Sequence, residues 1–272
     1  MSTPTIAFIG AGYMATSIVG GLIDAGQPAA SIRAADPFPE SLERLQQVAP
    51  IVACMDNNLA ATGADVIILA VKPQVMADVC QGIAASLTPG ALVISIAAGI
   101  TIDSMASWLG SETAIVRCMP NTPALLGCGA TGLFANAQVS AKQQGQADQV
   151  LSAVGILNWV PREKDLDAVT ALSGSGPAYF FLFMEAMIDA AIAQGLDRET
   201  ATRLAQQTGL GAARMALESD VDLVELRRRV TSPGGTTQAA VESFEAAGLR
   251  NVVSQAMQAA ADRADEMARE MG

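Results

Sequence analysis

Through the first half of the chain the apolar residues come in short unbroken stretches. Thr5-Ile-Ala-Phe-Ile9, Asp65-Val-Ile-Ile-Leu-Ala-Val71 and Ala91-Leu-Val-Ile-Ser-Ile96 are strand-length and apolar throughout, as strands buried on both faces of a parallel sheet are. Ser31–Ala35, Ile51–Cys54 and Ala114–Cys118 complete a set of predicted strands. Between them the period changes to that of helices, predicted after Gly10–Ala15 through Leu22 and stopping near Gly26, over Ser41–Val48 and over Val75–Ala85. Strand alternating with helix predicts a parallel sheet with right-handed crossovers. Beyond Val160-Pro161 no strand is predicted from Leu166 onward. Helical spacing covers Ala178–Ala193, Arg198–Leu217, Val221–Val230, Thr236–Ala246 and Leu249–Met271. The expected fold class is α/β: a Rossmann-type parallel-sheet domain over 1–161, then an all-α domain over 162–272.

The 272 residues are 51% hydrophobic, 16% charged and 4% aromatic. That excludes a disordered chain. A mean hydropathy of +0.34 points to an apolar subunit interface in addition to a core. The longest apolar runs are strand-length, so no membrane span is expected. The first residues lack the pattern of a signal peptide, and a cytoplasmic location is expected. A net charge of −11 argues against a nucleic-acid partner, which needs a basic footprint. Arg227-Arg228-Arg229 is the one dense basic run.

The chain has four cysteines and no histidine. Cys54, Cys80, Cys118 and Cys128 have no metal-ligand spacing, so no metal site is expected. Without histidine there is no Ser-His-Asp triad. Proton transfer must use a hydroxyl, lysine, a carboxylate or water.

Gly10-Ala-Gly12-Tyr-Met-Ala15 follows a predicted strand and opens a predicted helix. It matches the G-x-G-x-x-G/A turn that sets a dinucleotide pyrophosphate on a helix N-terminus. Gly10, Ala11, Gly12, Tyr13 and Met14 are therefore candidate cofactor residues. Asp36 ends the second strand, where an acid can hold the ribose 2′-OH; it can equally cap the following helix. Arg33 and Arg44 lie nearby in sequence, and NADP or NAD stays open. Lys72 either meets an anion or caps a strand end. Asn57 and Asn58 either touch adenosine ribose or cap a helix. Met119-Pro-Asn121-Thr-Pro123, with Asn121 as a cofactor candidate, ends another strand at the same sheet edge.

Two glycine-serine segments interrupt the helical half, Ser173-Gly-Ser-Gly-Pro-Ala-Tyr179 and Ser232-Pro-Gly-Gly-Thr-Thr237. Each is either an interhelical turn or a helix start able to hold a carboxylate. These segments, with Phe8–Gly12, Val71-Lys-Pro73, Ser95-Ile-Ala-Ala-Gly99 and Arg117–Pro123, resemble pyrroline-5-carboxylate reductases from about residue 5 to the last helix.

The resemblance implies NAD(P)H-dependent reduction of 1-pyrroline-5-carboxylate to L-proline, the last step of proline biosynthesis, with NADPH slightly favoured. It implies that Ser232 and the backbone of Gly234 and Gly235 bind the substrate carboxylate, that Thr236 also binds the substrate, and that Thr237, the catalytic candidate, hydrogen-bonds the ring nitrogen. Asn57, Ala70, Val71, Lys72, Pro73 and Ala97 would line the cofactor site. A homodimer through the helical domain, assembling into a decamer, is also implied. Tyr13 departs from the family, where many members have Asn, and Asp36 fits poorly with NADP. A β-hydroxyacid dehydrogenase is the rival enzyme class, but it uses a lysine in its helical domain, and no lysine follows Lys164. An NADP-sensing module is the rival outside catalysis; it has no use for the Ser232–Thr237 segment. Reduction of a related cyclic imine is a further alternative.

Overall fold

A computed structural model describes residues 3–271. It divides into two compact units, one running to Ser175 and including the residues from Ala259 onward, the other Gly176–Gln258.

The first unit is built on β1 (Ile6–Ile9), β2 (Ile32–Ala35), β3 (Val52–Cys54), β4 (Val66–Leu69), β5 (Leu92–Ser95), β6 (Ala114–Met119), β7 (Gly129–Ala135) and β8 (Gly155–Trp159). The sheet order is β3-β2-β1-β4-β5-β6-β7-β8. Strands β1 to β6 are parallel, β7 runs antiparallel to β6, and β8 runs parallel to β7. Because β1 pairs with both β2 and β4, the chain reverses its winding there. This topological switch point is where open α/β sheets bind ligands.

Helices cover both faces. On one lie α1 (Tyr13–Asp24) and α2 (Pro39–Val48). On the other lie α3 (Asn57–Ala61), α4 (Met76–Ile83) and α5 (Ile102–Leu109). The first face is covered further by α6 (Ala141–Leu151). Side chains alternate along the strands: Ile6 and Phe8 pack with Ile18, Leu22 and Leu45, while Ala7 and Ile9 pack with Met76, Ile83 and Met105. Burial on both faces is why these strands carry no polar alternation.

The strands predicted from Thr5 to Cys118 are all present, each within a few residues of its expected ends. The strands β7 and β8 and the helices α5 and α6 were not anticipated.

Past Pro161 the chain does not leave this unit at once. Glu163 Oε1 accepts the Ile102 N–H at 2.9 Å and pairs with Arg117 Nη1 at 2.8 Å, and α7 (Asp165–Val169) packs on β6 and β7. The change in residue pattern near 161 therefore precedes the division between compact units. Ser173–Gly174 is not an interhelical loop. It lies in a π-type turn over Thr170–Gly174 that leads into α8 (Gly176–Ala193). A Cβ on Gly174 would stand 2.7 Å from Met119 Cε.

The second unit consists of α8, α9 (Arg198–Glu218), α10 (Leu223–Arg229), α11 (Thr236–Ala246) and the first part of α12 (Leu249–Met271). Helices α8 and α9 pack together across a turn at Gly195 (φ +105°). Phe183 meets Phe244 with ring centroids 5.9 Å apart. Only Gly176, Ala201 and Ala205 are buried in this unit, whereas Phe180, Phe181 and Leu182 are 71%, 64% and 66% exposed. The helical run Asp165–Ala193 is long and apolar enough, by length and composition, to cross a membrane. No such span was expected from the sequence, whose longest apolar runs read as strand-length.

Candidate active site

The strand β1 ends at Gly10, whose φ of +102° suits only glycine, and a Cβ there would lie 2.6 Å from the Ala70 carbonyl oxygen. This close approach at the switch point requires the first glycine of the turn. Gly12 is the N-cap of α1, with extended backbone and no side-chain cap, and α1 has no acid in its first turn. Nothing lies within 4 Å of where a Gly12 Cβ would be. An uncapped helix start facing open space through a bare backbone fits a dinucleotide pyrophosphate. Tyr13 and Met14 open the helix, and Ala15 is buried against the sheet.

Asp36 is engaged at both carboxylate oxygens. Its Oδ2 accepts the Ala11 N–H at 2.8 Å and its Oδ1 accepts the Phe38 N–H at 2.9 Å. The N-cap of α2 is Phe38, so Asp36 does not cap that helix; it ties the end of β2 to the glycine turn.

Beside this turn is a cleft of about 590 Å³, lined by Gly10, Ala35, Met55, Asn57, Val71 and Val79 among others. Asn57 opens α3, whose N-cap is Asp56, accepting the Asn58 N–H at 2.8 Å. Sequence reading missed Asp56 and Met55; an acid just before two asparagines is a cap signal that could have marked the first. Ala70 and Val71 meet the first glycine, with the Ala70 N–H bonded to the Ile9 carbonyl at 2.8 Å. Lys72 and Pro73 begin a short 3₁₀ turn, and Lys72 is exposed. Ala97 is buried after β5, its N–H directed to Ser95 Oγ at 3.3 Å.

Asn121 is buried and both ends of its amide are engaged within the chain. Its Nδ2 donates to the Ser173 carbonyl at 3.0 Å, and its Oδ1 accepts the Ala130 N–H at 2.9 Å. It joins β6, β7 and the π-type turn. Two of the thiols are inert here: burial pushes Cys80 and Cys118 up to about 12, which leaves them protonated at neutral pH.

The second group of candidates lies in the helical unit. Ser232 to Gly235 turn the chain from α10 into α11, with Gly234 at φ +72°. Gly235 is the N-cap of α11, without a side-chain cap and without an acid in the first turn. Thr236 and Thr237 are the first helical residues and are exposed. The N–H groups of the two glycines are already engaged: Gly235 donates to the Ser232 carbonyl at 3.0 Å and Gly234 to Gln238 Oε1 at 2.7 Å. The open donors are the first-turn N–H groups and the hydroxyls of Ser232, Thr236 and Thr237. Gln238 occupies the place of an external acceptor.

The switch-point cleft, the two-glycine turn and the uncapped helix define a Rossmann-type dinucleotide oxidoreductase with an added helical unit. The comparisons with known proteins narrow this. Residues 163–267 match the family model for pyrroline-5-carboxylate reductase dimerisation, and residues 5–99 match that for NADP oxidoreductase, coenzyme F420-dependent. The chain is 57% identical to a pyrroline-5-carboxylate reductase of Pseudomonas aeruginosa across the full length of both. Among solved structures it resembles that of Coxiella burnetii, with a TM-score of 0.94, 45% identity and 98% and 99% of the two chains covered. The Plasmodium falciparum structure with NADP bound gives a TM-score of 0.86 at 31% identity, covering 98% and 99%. The chain belongs to the pyrroline-5-carboxylate reductase family.

Proposed function

We propose that this chain reduces 1-pyrroline-5-carboxylate to L-proline with NAD(P)H, the last step of proline biosynthesis. The observation that carries this is the pairing, in one chain, of a dinucleotide turn with an uncapped helix start bearing Ser232, Thr236 and Thr237.

Bound NAD(P)H would supply the hydride for the new C–H bond at the imine carbon; this chain's residues hold and orient the substrate. The start of α11 holds the substrate carboxylate through backbone N–H groups and hydroxyls, aided by the helix dipole. Engaging the Gly234 N–H requires displacing Gln238 Oε1. Thr237 hydrogen-bonds the ring nitrogen and orients it. A threonine hydroxyl is too weak an acid to supply the proton unaided, so the proton arrives with an iminium substrate or through water. Holding the imine carbon about 3–3.5 Å from the hydride supplies much of the rate.

The working form in this proposal is a homodimer through the helical unit, with dimers assembled into a decamer. The exposed Phe180, Phe181 and Leu182 favour a protein interface for α8. The free cysteines suit a reducing cytoplasm.

The test is NADPH and NADH oxidation, followed by absorbance, with 1-pyrroline-5-carboxylate and with its six-membered homologue. Oxidation with proline formed is expected. Folded, cofactor-binding protein that oxidises neither cofactor would overturn the proposal.

A further inference from the structure

Two arginines were near the dinucleotide turn in sequence, and the structure treats them differently. Arg33 Nη1 donates to the Thr62 carbonyl at 2.6 Å, which occupies it away from the turn. Arg44 lies on α2 and reaches back to the turn itself. Its Nη2 donates to the Ala11 carbonyl at 3.2 Å and to Ser41 Oγ at 3.4 Å. Its Cζ stands 4.9 Å from the centre of the Tyr13 ring. Its Nε is shielded from solvent and has no hydrogen-bond partner.

Among the described residues no carboxylate lies within ion-pair distance of Arg44. A desolvated donor on a cation costs free energy unless something accepts from it. Asp36 does not, because its oxygens serve the Ala11 and Phe38 N–H groups. Ala11 is thus held from both sides, by Asp36 at its N–H and by Arg44 at its carbonyl. A dinucleotide on this turn places its adenosine ribose at the end of β2, the segment that Asp36 and the start of α2 occupy. NADPH and NADH differ there by one phosphate.

We propose that Arg44, stacked on Tyr13, receives the 2′-phosphate of NADPH and makes this chain selective for NADPH in spite of Asp36. The proposal rests on the reading of Gly10–Ala15 as a dinucleotide site. Tyr13 supplies the flat face that holds a guanidinium in place. Asp36 holds the turn that carries the Arg44 acceptor, which reconciles an acid at this position with a phosphorylated cofactor.

The test is calorimetric titration of NADP+, NAD+, 2′,5′-ADP and 5′-AMP into the wild-type protein and into Arg44→Met and Arg44→Lys, with thermal melts to confirm folding. Arg44→Met is expected to weaken NADP+ and 2′,5′-ADP by roughly 10- to 100-fold, the range for hydrogen bonds to a charged group. NAD+ and 5′-AMP should stay within about twofold, and Arg44→Lys should fall between. Equal losses for NADP+ and NAD+ would mean that Arg44 only shapes the turn through Ala11 and would overturn the proposal, as would no loss at all. Wild-type protein that binds neither dinucleotide would overturn the dinucleotide reading, and this inference with it.

Discussion

The two compact units solve the problem of burial differently. In the first, residues such as Phe8, Ile68 and Leu69 are sealed on both faces of the sheet. In the second, the largest apolar side chains of α8 face outward and only small residues are buried. A unit of that kind lacks the core its apolar content could build, which is what the proposed dimer through α8 would supply. On that proposal, the contrast separates stability held within one chain from stability that depends on assembly.

Matched substitutions would break that comparison most directly. Ile68→Ala, in the sheet core, is expected to cost about 4 kcal/mol, read as a lower denaturation midpoint with the assembly's mass unchanged. Phe181→Asp is expected to cost about 3 kcal/mol of association through a desolvated charge. It would be read by light scattering as dissociation that deepens on dilution. If Phe181→Asp leaves the mass unchanged at every concentration, α8 is not the interface and the contrast between units fails.

Glu163 sharpens the same comparison, because it lies past Pro161 yet bonds into the first unit. Glu163→Gln leaves the buried Arg117 without its counter-charge, and a loss of about 2–3 kcal/mol is expected in urea denaturation. A change below about 0.5 kcal/mol would mean that this segment is not fastened to the sheet.

Thr237 tests the opposite property. It is exposed at the start of α11, so Thr237→Ala should alter stability by less than about 0.5 kcal/mol. Its turnover should fall roughly 10- to 100-fold with cofactor affinity unchanged. Unchanged turnover would remove Thr237 from the reaction while leaving the fold intact.

The same contrast explains what could be read in the sequence. Strands β1, β4 and β5 were legible because burial on both faces leaves an apolar run with no other explanation. Strand β7 was not, because Gly129 and Gly132 interrupt it. Those glycines are required by packing: a Cβ on Gly132 would stand 2.7 Å from Val169, and one on Gly129 would stand 2.7 Å from the Val154 carbonyl oxygen. Helix α5 carried a usable signal in Thr101, whose hydroxyl caps it by accepting the Ser104 N–H. At the site, the glycine turn was legible because its spacing encodes backbone geometry. The engagements of Asp36, Asn121, Gln238 and Arg44 were not, because each depends on a partner that only the folded chain brings near.

The smallest effect expected comes from Asp167, on α7 in the first unit. Burial raises its pKa above the ordinary carboxylate range; Arg117 opposes this, Asp265 adds to it, and Lys164 and Glu163 act weakly in opposite directions. A carboxyl raised by folding stabilises the protein fully below its ordinary pKa, and that contribution is lost as pH rises through the raised value. Asp167→Asn should therefore match the wild type near pH 3 and exceed it at pH 7. Because the side chain is only partly buried, the gain is only on the order of 1 °C in Tm. Melts at both pH values decide it: a gap that is the same at each, or a variant less stable at pH 7, would show that the attraction of Arg117 outweighs burial.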